Sequence, residues 1–164
     1  MKSLFKTFLA LALVLGSSSS SFAAGGDLID MANQNGHFKT LVSFVQKAGL
    51  ETAWRSADVK TIFAPTDDAF AKLTSDQMNR LQTDSAYLMS VLLYHAVEGK
   101  ILVSALDKST AISKVTLNGQ SLIVKFNIAT NMFMVNGANI TSPDMDASNG
   151  ELQGIDSVLI PMIR

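Results

Sequence analysis

The sequence predicts an α+β fold, with helices in its first half and paired strands in its second. Two observations carry this. Up to Tyr94, apolar residues recur at three- and four-residue spacing, the period of a helix buried along one face. Beyond Lys100, β-prone runs flank Asn118-Gly119 and Asn136-Gly137, dipeptides that favour tight hairpin turns.

The elements follow in order. Asp27 is a candidate N-cap for a short helix to Asn35 that carries Leu28, Ile29 and Met31 on one face and ends at Gly36. Phe38, Leu41, Val42 and Val45 mark a second helix, with Gly49 at its C-terminal cap. Thr61 to Ala64 is a short β-prone run stopped by Pro65. Thr66 caps a helix over 67–72, whose first turn places Asp67 and Asp68 against the positive helix end. Asp76 begins another helix, and 87–94 is a third with a nearly continuous apolar face. Strands are expected at 112–117, 121–126, 132–135, 138–141 and 155–160, the last ended by Pro161. Residues 143–151 read as an acidic, turn-rich loop.

Composition narrows the function. At 164 residues, 48% apolar and 16% charged, the chain has enough apolar residues to fold on a core alone. It has no cysteine, which excludes a disulfide scaffold, a thiolate zinc site and a thiol nucleophile. Thirteen basic and fourteen acidic residues leave no cationic surplus for a nucleic-acid backbone. Lys2 and Lys6, the apolar run 8–15 and Ser21-Phe22-Ala23 have the layout of a cleaved secretory signal over residues 1–24. The run is too short to span a bilayer, and no later stretch is long enough either. Loss of both lysines takes the charge from -1 to -3. The expected product is one exported domain over 25–164, periplasmic or extracellular.

Three blocks give a more specific reading. Residues 61–70, Thr-Ile-Phe-Ala-Pro-Thr-Asp-Asp-Ala-Phe, resemble the first block of fasciclin (FAS1) domains. Tyr94-His95 resembles the central Tyr-His pair of that family, and 149–161 resembles its second block. Order and spacing agree over residues 26–161. The family usually has Ile-His where this chain has Leu152-Gln153, and a hydrophobic residue where Gly154 stands. The resemblance implies helices packed on a small β-wedge with C-terminal hairpins. It also implies a non-catalytic, extracellular or surface-attached adhesion module, with no cofactor. The partner would be a cell-surface or matrix protein or a glycan. Some family members carry apolar ligands, which gives a second reading: an envelope carrier of a small lipid or pigment.

The candidate contact residues are Tyr94 and His95, whose family counterparts are tied to receptor contact, and Asp144. Pro143-Asp144 matches part of an integrin contact in a few animal members. Each also has a structural reading: a hydrogen-bonded histidine near the core, and turn-forming side chains in a loop. Asp67 and Asp68 are neighbours on a helix and point about 100° apart, so they do not converge on a substrate. An EF-hand counted from Asp144 needs Gly at its sixth position and Glu at its twelfth, and finds Asn149 and Ile155. Gln153 cannot titrate as a histidine would, but it can bridge two backbone groups. Met132 and Met134 should face one side of a strand and Phe133 the other. No Gly-x-Ser-x-Gly elbow, glycine-rich phosphate loop or His-Glu-x-x-His motif occurs.

Overall fold

The computed structural model describes residues 26–162. The expected export signal lies outside the described residues. Six helices come first, interrupted by one strand: α1 (Leu28–Asn35), α2 (Lys39–Lys47), α3 (Glu51–Arg55), β1 (Lys60–Pro65), α4 (Asp67–Ala71), α5 (Ser75–Thr83) and α6 (Ser85–Tyr94). Then come β2 (Ala96–Glu98), a 3-10 turn at Val103–Ala105, β3 (Ile112–Val115), β4 (Ser121–Asn127), β5 (Met132–Val135), β6 (Ala138–Ala147) and β7 (Gly150–Ile155). The fold class is therefore α+β, as the sequence predicts.

Capping explains where the helices start. Asp27 accepts from the Ile29 and Asp30 amides, and Thr66 accepts from Ala69. Thr74 and Gln77 form a reciprocal capping box, so α5 begins before the expected Asp76. Phe38, at the start of α2, has no oxygen with which to cap. Asp67 supplies one from α4: its Oδ1 accepts the Thr40 amide at 2.8 Å. The charge expected to serve its own helix also caps a neighbour. Helix α3 has too few residues to display a period, and sequence reading misses it. It is fixed by buried Trp54 and by Arg55, which pairs with Asp27 at 2.6 Å, Asp30 at 2.9 Å and Glu51 at 3.1 Å.

The strands form one sheet in the order β2-β1-β7-β6-β5-β4-β3, in which β1 and β7 pair in parallel and all other neighbours are antiparallel. Two register shifts in β6, between Ile140 and Met145, bend the sheet. Ile62, Ala64 and Leu152 face the helices, joining Leu41, Val45, Leu88 and Val91 in one core. Phe63 and Ile155, on the opposite face, join Leu122, Val124 and Val135 in a second core inside the wedge. Because β1 and β7 lie between the two cores, every residue of both is buried.

Two expectations from sequence are corrected. Residues 143–147 are not loop but the second half of β6, and 150–155 is its partner; the bulges let Pro143 and Asp144 sit within a strand. The last strand is not 155–160: it ends at Ile155, because beyond Asp156 the backbone bonds to side chains rather than to a neighbouring strand. Phe133 packs against the inner core, and Met132, Phe133 and Met134 are all half-buried.

Candidate functional site

Tyr94 and His95 end α6 at the mouth of the wedge, and the fold uses both. His95 is 1% exposed. Its Nδ1 lies 2.7 Å from the Val91 carbonyl, and its Nε2 accepts the Leu159 amide at 2.9 Å. A carbonyl can only accept, so Nδ1 carries the proton and the ring is neutral. Burial pushes its pKa down to about 4, against a smaller opposing effect of the Val91 carbonyl. With both nitrogens engaged, His95 has no lone pair free to act as a base on a substrate. The Tyr94 hydroxyl accepts from Asn136 Nδ2 at 2.6 Å and reaches the Ser121 carbonyl at 3.4 Å.

The His95 bond holds a strap, residues 157–162, by its Leu159 amide. The Leu159 side chain is buried, and further on Gln120 clamps Met162 with two bonds: Nε2 to the carbonyl at 2.7 Å, and the amide to Oε1 at 3.0 Å. Two shallow depressions flank Tyr94, one beside Asn118–Ser121 and Met162, the other beside Asn136–Ala138 and the strap.

Asp144 lies elsewhere and shares no hydrogen-bond partner with the pair. Its backbone is left-handed, at φ 54°. Its carboxylate accepts from the Val103 amide at 2.7 Å and the Ser104 amide at 2.9 Å, capping the 3-10 turn. Burial works against its charge, but these amides and Gln153 outweigh it and hold its pKa below the usual carboxylate value. Gln153 does the bridging expected of it. Its Oε1 takes the Asp144 amide at 2.8 Å, and its Nε2 gives to the Ile101 carbonyl and to Asp144 Oδ1, both at 2.9 Å.

Sequence reading missed a polar strip beside Asp144. Thr61 Oγ1 accepts the Ile101 amide at 2.9 Å and donates to Gly99 at 2.7 Å. Glu151 is fully buried, with Lys100 Nζ 2.7 Å from its Oε1 and no hydrogen-bond partner for Oε2. Burial raises the Glu151 pKa, opposed by Lys100, which also pairs with Asp146 at 2.7 Å. Asn149 is likewise a hub: it accepts from Leu28 at 2.9 Å and donates to the Trp54 and Ser56 carbonyls at 2.8 Å. No local pattern announces these residues, because their partners lie tens of residues away. No group of three or more His, Cys, Asp or Glu residues among the described residues is placed to hold a metal.

Comparison with known proteins decides the family. A sequence model described as the fasciclin domain matches residues 36–161. The chain belongs to the fasciclin domain family. Protein sll1483 of Synechocystis is 35% identical over 136 residues, covering 82% of this chain and 73% of that protein. The cell surface glycolipoprotein MPB83 of Mycobacterium bovis is 36% identical over 101 residues, covering 62% of this chain and 43% of that protein. The FAS1 domain pair of the insect cell adhesion molecule Fasciclin I superposes with a TM-score of 0.70 at 17% identity, over 83% of this chain and 51% of that one. That likeness establishes a FAS1 fold. The glycine departure from the fasciclin pattern has a packing basis: a Cβ on Gly154 would lie 2.9 Å from Ser142 Cβ and 3.3 Å from the Phe38 ring. No helix among the described residues is long and apolar enough to cross a membrane.

Proposed function

We propose that this fasciclin domain is an exported, non-catalytic binding module, mature from residue 25 as one domain, that attaches to a cell-surface, matrix or partner molecule. One observation carries the reading. The candidate residues His95 and Asp144, with Asn149 near Asp144 in sequence, spend their polar atoms inside the fold, which favours a binding surface over a reactive centre built on them. A related mycobacterial protein is named as a cell surface glycolipoprotein, which supports the same placement. Of the three candidate contact residues, Tyr94 and Asp144 border the surface. His95 would act on contact by holding the strap. Saturable retention of the mature protein on source cells or their extracellular material is the expected result. Retention no better than that of a heat-denatured sample would sink the reading.

A second reading has its own observation. A groove of about 870 Å³ runs between α3 and the β2 edge, walled by Leu50, Ala53, Trp54, Val59, Leu93 and Leu117. It is roomy enough for a small apolar ligand. Native mass spectra of protein from its source organism would then carry a constant extra mass, and a bare spectrum would exclude a tightly held cargo.

A further inference from the structure

The helix-side core is not closed at every point. Trp54 belongs to it and Leu50 packs against it, yet beside them the groove of about 870 Å³ between α3 and the β2 edge stays open. Two of the apolar walls, Val59 at 51% and Leu117 at 37%, are exposed. Single apolar side chains in water are ordinary on a protein surface. Two that border one cavity with a tryptophan leave apolar carbon for a ligand to cover.

The polar groups on the walls offer one sign of charge. Lys60 and Glu98 are paired across β1 and β2, and a lysine opposite a glutamate can close an ion pair. Here it does not. Lys60 Nζ turns instead to the Ala53 carbonyl at 3.0 Å, the Ser56 hydroxyl at 2.9 Å and the Asp58 carbonyl at 2.9 Å. An ammonium has three hydrogens, and these acceptors use all of them. Glu98 is thereby left without a cation. So is Asp58, whose carboxylate accepts the Ser56 hydroxyl at 3.3 Å. Among the described residues neither acid has a basic group within ion-pair distance. Both are exposed, and both line the groove. The lining thus sets two carboxylates against one ammonium that has no hydrogen left to give.

We propose that this groove holds a small amphiphile with an apolar body and a cationic head, the body against Trp54, Val59, Leu93 and Leu117 and the head at Asp58 and Glu98. The inference rests on the carrier reading and names the charge of the ligand. An anionic head, such as that of a fatty acid, would meet two carboxylates and find no free donor on Lys60. A neutral body would leave both carboxylates unused. A carboxylate beside an apolar wall attracts an ammonium more strongly than one in open water, because the local dielectric is lower. The volume suits a small molecule, whose sites run to about 300–1,000 Å³.

Trp54 is the sole tryptophan of the chain, so its emission reports on this wall of the groove. The test is titration of the mature protein at pH 7 with decylamine, decanol and decanoate, each below its micellar concentration, followed by Trp54 fluorescence. Decylamine, an ammonium at this pH, should saturate the change at the lowest concentration. Decanoate should bind about tenfold more weakly, with decanol between them. Glu98→Gln and Asp58→Asn should each weaken decylamine about fivefold and leave decanol unchanged. Val59→Ser should weaken both, and Asp76→Asn, on α5 outside the groove, should weaken neither. Glu98, Asp58 and Val59 are exposed, so matched thermal melts will confirm that the variants fold. Equal affinity for decylamine and decanol, tighter binding of decanoate, or native affinity in both carboxylate variants overturns the cationic assignment and leaves an apolar carrier. Silence of Trp54 toward all three probes removes the carrier reading itself, and this proposal with it.

Discussion

Leu159 gives its amide to the one lone pair that a neutral His95 offers, and this ties the protein's stability to pH. Folding moves the His95 pKa from 6.5 down to about 4. As pH falls through that window the unfolded chain takes the proton first, so stability is full above 6.5 and declines toward 4. At about 1.4 kcal/mol per pH unit the loss approaches about 3 kcal/mol. Asp27, Asp67, Asp144 and Asp156 sit below the usual carboxylate range, although burial works against them, so their losses come at lower pH. Glu151, raised by burial, works in the opposite sense and favours the fold as pH falls. Urea midpoints from pH 7 to 4.5 should therefore fall in the native protein. His95→Gln should be less stable at pH 7 and show a flatter pH dependence; equal slopes would refute the assignment. The Lys100–Glu151 pair makes a second residue-scale prediction. Lys100→Met leaves a buried carboxylate without its counter-charge, so the melting temperature should drop more at pH 7 than at pH 4. Glu151→Gln in the same chain should recover most of that loss, and no recovery would mean that Lys100 acts in some other way.

Between β1 and β7 the parallel register puts Gly150 against Lys60. Its φ is +155°, and a Cβ there would lie 1.8 Å from the Lys60 carbonyl oxygen. No rotamer relieves a clash with backbone, so Gly150→Ala must separate β1 from β7 or distort the β6–β7 turn. The expected cost is about 3 kcal/mol or more. A urea midpoint within error of the native value would show that the turn relaxes freely. The elements read correctly from sequence are those whose signal is local. Asp27 and Thr66 announce helix starts, and Asn118-Gly119 and Asn136-Gly137 announce hairpins. Those missed lack such a signal. Helix α3 is too short for a period, and the second half of β6 is written around Pro143, Asp144 and Asp146, residue types that normally mark loops. It is a strand because β7 pairs with it and bulges absorb its misfit.

Across the molecule, the sheet separates two cores, and β1, β2, β6 and β7 give side chains to both. Amide exchange should therefore be slowest in β1 and β7, buried on both faces, and faster in β3, an edge strand with no buried residue. Uniform protection across the sheet would argue that the wedge opens as one unit. Leu152→Ala, at the helix-facing core, should cost about 3 kcal/mol, a typical value for a fully buried leucine.

The fold class, most helix starts, the hairpin turns and the fasciclin signature are legible along the chain, because each is encoded by neighbours within a few residues. Tertiary structure alone decided the rest. It gave the Asp67 carboxylate to another helix, His95 to the strap and Asp144 to a 3-10 turn, and it buried Glu151 under Lys100. The reason is physical: a polar side chain removed from water must find a partner, and folding delivers partners from any distance along the chain. A candidate residue's type is therefore legible in the sequence, but whether its polar atoms remain free for a ligand is settled only by packing.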